Sequence, residues 1–355
     1  MRVRVVLRSV HGETVTRDMI EGNWADPVGD ADLVLGENLW ALPGLVDGHA
    51  HFAAETMAPR PGNLEDAITR ARTALDAGVL LALDKGWGDL TVLDLVERVD
   101  PGDRPEIEAA GLIHAVEGGY IAEVCRIIDP GEVGPAMNQA AGEGRGWVKL
   151  IGDWPRKGIG PLPNFTEEQL GVAVRSASAA GARVAVHTMA RDVPSMAVRA
   201  GVHSIEHGLF LQLEDLDDLG SRGGIWVPTV LNMEAVIRQL GEHSSGGRLI
   251  TEGLANVARL LPEAIEAGVH ILAGTDLAVG THQVGQEAVR LAEMGLSPKH
   301  ALRAVSYSGF EATGRPIAFE VDAAANAVMF DANPEEDLGV LAHPRHVIRR
   351  GRVVK

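Results

Sequence analysis

Eight short apolar runs recur along the chain, at residues 42–52, 79–86, 107–115, 147–153, 183–188, 204–208, 224–230 and 270–276. Each is followed by a polar or glycine-containing turn and an amphipathic segment. Near-continuous apolar runs suit parallel strands buried on both faces. The segments between them read as helices. Asn63 is placed to cap a helix whose apolar positions Leu64, Ile68, Ala71 and Leu75 share one face, with Gly78 as its stop. Thr166-Glu-Glu-Gln169 is a capping box, and Gly181 ends that helix. Ser297-Pro298 supplies an N-cap and a first-turn proline. Eight strand–helix units over about 250 residues predict an α/β fold, a (β/α)8 TIM barrel over residues 42–315, ahead of an open doubly wound sheet. Residues 1–41 and 316–355 carry short alternating runs and no long helix, which predicts one small β-sandwich-like domain built from both ends.

Composition narrows the function. Of 355 residues, 46% are hydrophobic, enough for a sizeable core. Lys plus Arg number 32 against 49 Asp plus Glu, a net charge of −17 that disfavours nucleic acid and anionic membrane as partners. The single cysteine, Cys125, excludes an internal disulfide and a multi-cysteine zinc cluster, and fits a reducing compartment. Neither a secretory leader nor a membrane-spanning run is expected, so the reading is a cytoplasmic protein with a small-molecule substrate, compatible with a homo-oligomer.

Polar residues end several of the apolar runs. His49-Ala-His51 closes the first; alternate residues of a strand point to one side, so both imidazoles can grasp one ion. His187 closes Val184-Ala-Val-His, His207 closes Ser204-Ile-Glu-His, and Asp276 closes Ile271-Leu-Ala-Gly-Thr-Asp. A barrel gathers its strand C-termini at one face, so these five would converge. Lys149 lies inside Trp147-Val-Lys-Leu-Ile. A buried ammonium is costly without a partner, and its pKa falls on burial. The neutral amine could take up carbon dioxide to give a carbamate, although from chemistry alone a salt-bridged structural lysine ranks first.

The segments Pro43-Gly-Leu-Val-Asp-Gly-His-Ala-His51, Trp147-Val-Lys-Leu, Ser204-Ile-Glu-His-Gly208, Val227-Pro-Thr229 and Ala273-Gly-Thr-Asp276 resemble the amidohydrolase superfamily, near its imidazolonepropionase-like and prolidase-like branch. The resemblance runs from about residue 40 to 350 in the family's order. Departures are Ser306-Tyr-Ser-Gly-Phe310, where the family often has Thr-x-Asn-x-Ala, and Ala325-Asn-Ala-Val328, where it usually has Ala-Asp-Leu-Val. The loop 53–62 is also short. The resemblance implies that His49, His51 and Asp276 hold one divalent metal and that His187 and His207 hold a second. It also moves Lys149 to a carbamate bridging the two.

The function implied is hydrolysis of an amide-like C–N bond by a metal-activated hydroxide, zinc being the default ion for nitrogen-rich ligands, with one or two ions bound. Asp276 would be the general base. The loops 85–90, 117–123, 154–160, 188–193, 231–264 and 277–286 would build the pocket. Within them Tyr120, Arg156, Lys157 and Arg191 could hold the carboxylate of a dipeptide or N-acyl amino acid, and His282 is a further candidate for substrate contact, with a plain loop histidine as the alternative. Opening of a cyclic amide or lactone is the alternative. Deamination ranks lower because His187 is followed by Thr-Met-Ala-Arg rather than a nearby glutamate, and a non-catalytic relative ranks last because every ligand position is filled.

Overall fold

The apolar runs fold as buried parallel strands in a computed structural model that describes residues 2–355 apart from Met57 and Pro59. These two fall in the loop 53–62, so its reading as a short loop lies partly outside the described residues. Leu45–Ala50, Val79–Asp84 and Glu106–Ala109 pair in that order in one sheet. Ile113–Ala115, Trp147–Ile151, Arg183–Thr188, Ser204–His207, Ile225–Val227 and His270–Ile271 follow one another in a second, with Arg126–Ile127 on its edge.

The ladder is thus two arcs and not the single closed ring expected of a barrel. The third run kinks at Gly111, where φ is +71°, so its two halves pair with different neighbours. The last run leaves the regular ladder after Ile271. Backbone hydrogen bonds still cross both gaps. Ala109 and Arg145 exchange bonds of 3.1 and 2.7 Å, Gly48 N–H donates to Ala273 O at 2.8 Å, and Asp276 N–H donates to His49 O at 2.9 Å. The second crossing requires glycine. A Cβ on Gly274 would lie 2.7 Å from the His49 Cβ, and one on Gly48 would lie 2.7 Å from the Leu272 Cβ.

The helix signals act as expected. Asn63 accepts from Asp66 N–H at the start of Leu64–Asp76, Thr166 and Gln169 form a capping box for Glu167–Ala179, and Ser297 caps Pro298–Val305. The excursion 231–264 is not a loop. It forms the helices Val230–Leu240 and Ser245–Glu266, the second burying Ile250, Val257, Leu260 and Leu261 along one face. Similarly, 154–160 belongs to a hairpin of Asp153–Arg156 and Gly160–Pro163. Among the described residues, no helix is long and apolar enough to cross a membrane.

Strands from both ends of the chain share one eight-stranded sheet, in which Ala327–Phe330 pairs antiparallel with Trp40–Leu42. This is a single sheet rather than the two layers of a sandwich. It curls back through Trp24 N–H to Ala323 O and Ala325 N–H to Gly22 O, both 2.8 Å, around Val5, Leu7, Trp24, Ala327, Met329 and Ile348. Arg349 ties this sheet to the parallel strands. Its side chain is 3% exposed, donates to the carbonyls of Pro101 and Arg104, and pairs with Glu106 at 3.1 Å. Arg349→Met should strand those acceptors and lower stability by about 1–3 kcal/mol. Urea unfolding checks this, and an unchanged midpoint would count against the tie.

Candidate metal centre

His49, His51, Lys149, His187, His207 and Asp276 meet at the C-terminal ends of the parallel strands, each 2–7% exposed. The pleat delivers the first pair, since alternate residues face one side. His49 Nε2 and His51 Nε2 both approach Asp276 Oδ1, at 3.4 and 3.3 Å. These three offer ligand atoms that all lie within 4.8 Å of one another, a spacing that could hold a metal ion. His51 Nδ1–H donates to Gly86 O at 2.7 Å, so the neutral ring would present its Nε2 lone pair inward; burial opposes its charge, but Asp276 raises it above the ordinary histidine value.

His187 and His207 form the second pair, with His207 Nε2 only 2.9 Å from His187 Nδ1. The Thr229 hydroxyl donates to Pro228 O at 2.8 Å and so accepts from His207 Nδ1–H at 2.6 Å. That fixes a lone pair on His207 Nε2. His187 Nε2 is buried without a hydrogen-bond partner, free to carry the ring proton if Nδ1 is needed as a ligand. Burial pushes His49 down to about 3, His207 down to about 4 and His187 well below the ordinary histidine value, with the Lys149 charge adding to the effect. Neutral imidazoles of this kind are the form that binds metals. Burial opposes ionisation of Asp276, but His49, His51 and His207 outweigh it and hold the carboxyl below the usual range.

Several of these positions are reached by leaving the strand conformation. His207, Thr229, Asp276 and Leu277 have φ of +65°, +49°, +42° and +63°, a region unfavourable for non-glycine residues by about 1–3 kcal/mol each. At His207 this has a visible result. Neighbours in a regular strand point to opposite faces, yet both Glu206 and His207 reach the interior.

Glu206 and Lys85 are members of this cluster that the sequence reading passed over. Glu206 Oε2 lies 2.6 Å from His49 Nδ1, and Oε1 lies 3.0 Å from Lys85 Nζ. A carboxylate inside the apolar run 204–208 was the available signal, equal in kind to Lys149. The two lysines differ. Neither amine has a hydrogen-bond partner among the described residues, but Lys85 has this carboxylate at ion-pair distance, whereas Lys149 has none, and burial lowers Lys149 to about 8. An orphaned amine and an orphaned imidazole nitrogen, among four convergent histidines and one aspartate, fit a site built for cations and an anionic bridge.

The Amidohydrolase family profile matches residues 158–354. The chain belongs to the amidohydrolase family. An uncharacterised protein of Mycobacterium tuberculosis is 33% identical over 337 residues, 92% of this chain and 88% of that one. Ochratoxinase of Aspergillus niger is 26% identical over 313 residues, 82% of this chain and 62% of that enzyme. Among solved structures, a Xaa-Pro dipeptidase with bound methionine in its active site superposes with a TM-score of 0.83 at 23% identity, covering 99% of both chains. The A. niger ochratoxinase structure gives 0.80 at 19% identity, covering 100% of this chain and 96% of that one. At these identities the superpositions establish a shared α/β fold.

In this amidohydrolase the loop candidates do not gather as the four histidines, Lys149 and Asp276 do. Tyr120 packs edge-on against Trp154 at 4.6 Å and lies 6.3 Å from the His187 ring, beside the site. Arg156 donates to Gly118 O and to Asn164 Oδ1. Arg191 is engaged by Glu252 through two hydrogen bonds of 2.7 and 2.6 Å. Lys157 and His282 are exposed. His114 is buried, but the charges that act on it are Arg126 and Glu143, on the outer side of its strand. Cys125 is a half-buried free thiol that donates to Ile121 O.

Divalent metal added to metal-free protein should stabilise it by about 2.7 kcal/mol at a hundredfold excess over the dissociation constant. His51→Asn should diminish that shift in a thermal melt. An identical melt with and without metal in the wild type would count against the site.

Proposed function

We propose that this hydrolase cleaves an amide-like C–N bond in a small molecule such as a dipeptide or N-acyl amino acid. The observation that carries the proposal is the convergence of His49, His51, His187, His207 and Asp276 around the unpartnered Lys149 amine. We read the two parallel arcs as a (β/α)8 barrel, supported by the hydrogen bonds across both gaps, and the sheet from both chain ends as a small separate domain. His49, His51 and Asp276 would hold one divalent ion and His187 with His207 a second. A neutral Lys149 amine adds carbon dioxide with loss of a proton, and the resulting carbamate oxygens would join the two. Bound cations of this kind, zinc by default for nitrogen-rich ligands, supply an ionised water at neutral pH and polarise the substrate carbonyl.

Asp276 is held ionised by three histidines and can accept a proton from the attacking water and return it to the leaving nitrogen. Trp154 and Tyr120 line the His187 side with aromatic surface. This suits a flat or apolar group beside the scissile bond, in keeping with relatives named for Xaa-Pro dipeptide and ochratoxin substrates. With Arg156 and Arg191 already engaged, aromatic contact is the better-supported way to hold a substrate. Screening dipeptides, N-acyl amino acids, cyclic amides and lactones tests the class. Lactone turnover without amide turnover would overturn the C–N reading.

Asp276→Asn should keep the fold and lower kcat by about 10²–10⁴-fold. Near-wild-type turnover with metal content intact would rule out Asp276 as the base. Lys149→Ala should lose metal and activity together, with partial return of both on adding formate or acetate. Metal content and rate are the readouts. Lys149→Met fills the space that the small acid would occupy, so it should lose both with no return. A stability loss in the alanine variant with no response to carboxylate would mark Lys149 as a structural ion-pairing residue instead.

A further inference from the structure

A neutral imidazole has one donor nitrogen and one acceptor nitrogen, and the hydrogen bond at one decides which lone pair the other presents. For His51 and His207 the outward nitrogen faces an uncharged oxygen, Gly86 O and Thr229 Oγ1. His49 is different. Its Nδ1 lies 2.6 Å from Glu206 Oε2, both side chains being almost fully buried. The other carboxylate oxygen accepts from Ser204 Oγ at 2.6 Å and faces Lys85 Nζ at 3.0 Å. Lys85 in turn lies 4.6 Å above the Trp147 ring, a second interaction that favours its cationic form. A carboxylate opposed by an ammonium is an acceptor only. A proton on His49 Nδ1 would meet this acceptor, and Nε2, 3.4 Å from Asp276 Oδ1, would then carry the lone pair.

We propose that Glu206, anchored by Lys85, is a positioning residue that holds His49 as its Nδ1–H tautomer and aims the Nε2 lone pair at the metal. The inference rests on the proposed role of His49 as a ligand. A charged acceptor also raises the basicity of the ring it faces, as carboxylates behind metal-bound histidines do. Among the described residues, His49 is the one histidine of the centre with a carboxylate within 3 Å of its outward nitrogen, the Asp276 Oδ2 beside His207 Nδ1 lying at 3.8 Å. The same pairing commits Lys85 to Glu206 and separates it in role from Lys149.

Glu206→Gln tests this because an amide has one acceptor and one donor end. Whichever way it turns, its NH2 must face either His49 Nδ1–H or the Lys85 ammonium. Metal affinity, measured by chelator competition on folded protein, should fall about 10–100-fold. Lys85→Met combined with Glu206→Gln removes the ammonium, so the amide oxygen can turn to His49. This double variant should regain most of the lost affinity. Independently, ¹⁵N-histidine NMR of metal-free wild type should show a protonated Nδ1 for His49, assigned by its absence from His49→Asn. A Glu206→Gln protein with wild-type affinity, a double variant no better than the single, or an Nε2–H tautomer in the wild type would each overturn the proposal. If Glu206→Gln fails to fold, the wild-type tautomer and the double variant decide. A wild type that binds no divalent ion would instead overturn the metal reading itself.

Discussion

Eight titratable side chains, His49, His51, Lys85, Lys149, His187, Glu206, His207 and Asp276, are held out of water at the ends of the parallel strands. An isolated charge there would be costly, so the cluster is organised by mutual compensation. Glu206 faces Lys85 and His49, Asp276 faces His49, His51 and His207, and burial holds His49, His187 and His207 toward their neutral forms. Lys149 is acted on by the Glu206 and Asp276 charges but has no carboxylate within ion-pair distance and no hydrogen-bond partner among the described residues. That leftover amine gives the site its chemical direction, because an added carboxylate on its nitrogen would complete the compensation.

The convergence of His49, His51, His187, His207 and Asp276 was legible because each is a polar residue at the close of an apolar run, and a parallel sheet puts such closures on one side. Glu206 was not, because strand alternation sends it away from His207. Only the left-handed conformation of His207 lets both neighbours face inward, and nothing in Ser204-Ile-Glu-His announces that turn. Lys85 was hidden for a related reason. It follows a strand and precedes Gly86, which reads as a loop, although it is fully buried.

The same limits apply to the fold. Strand and helix order followed from hydrophobic runs and caps, which are local signals. The segment 231–264 looked like a long loop because no strand closes it, yet its apolar residues recur at helical spacing and bury one face. The kink at Gly111 depends on which neighbours the two halves of one run meet, a tertiary matter. The loop cations failed to converge because Arg191 pairs with Glu252 and Arg156 with Gly118 O, partners distant in sequence.

The close approach of Gly48 and Gly274 has a mechanical consequence. His49 and His51 stand on one side of that crossing and Asp276 on the other, so an ion shared by them would span the join between the first and last parallel strands. Such an ion would act as a clasp on a part of the circuit that lies outside the regular ladder. Slow amide exchange around residues 48 and 274 would then depend on metal occupancy, and the integrity of the strand circuit would be coupled to the same ligands that carry the chemistry.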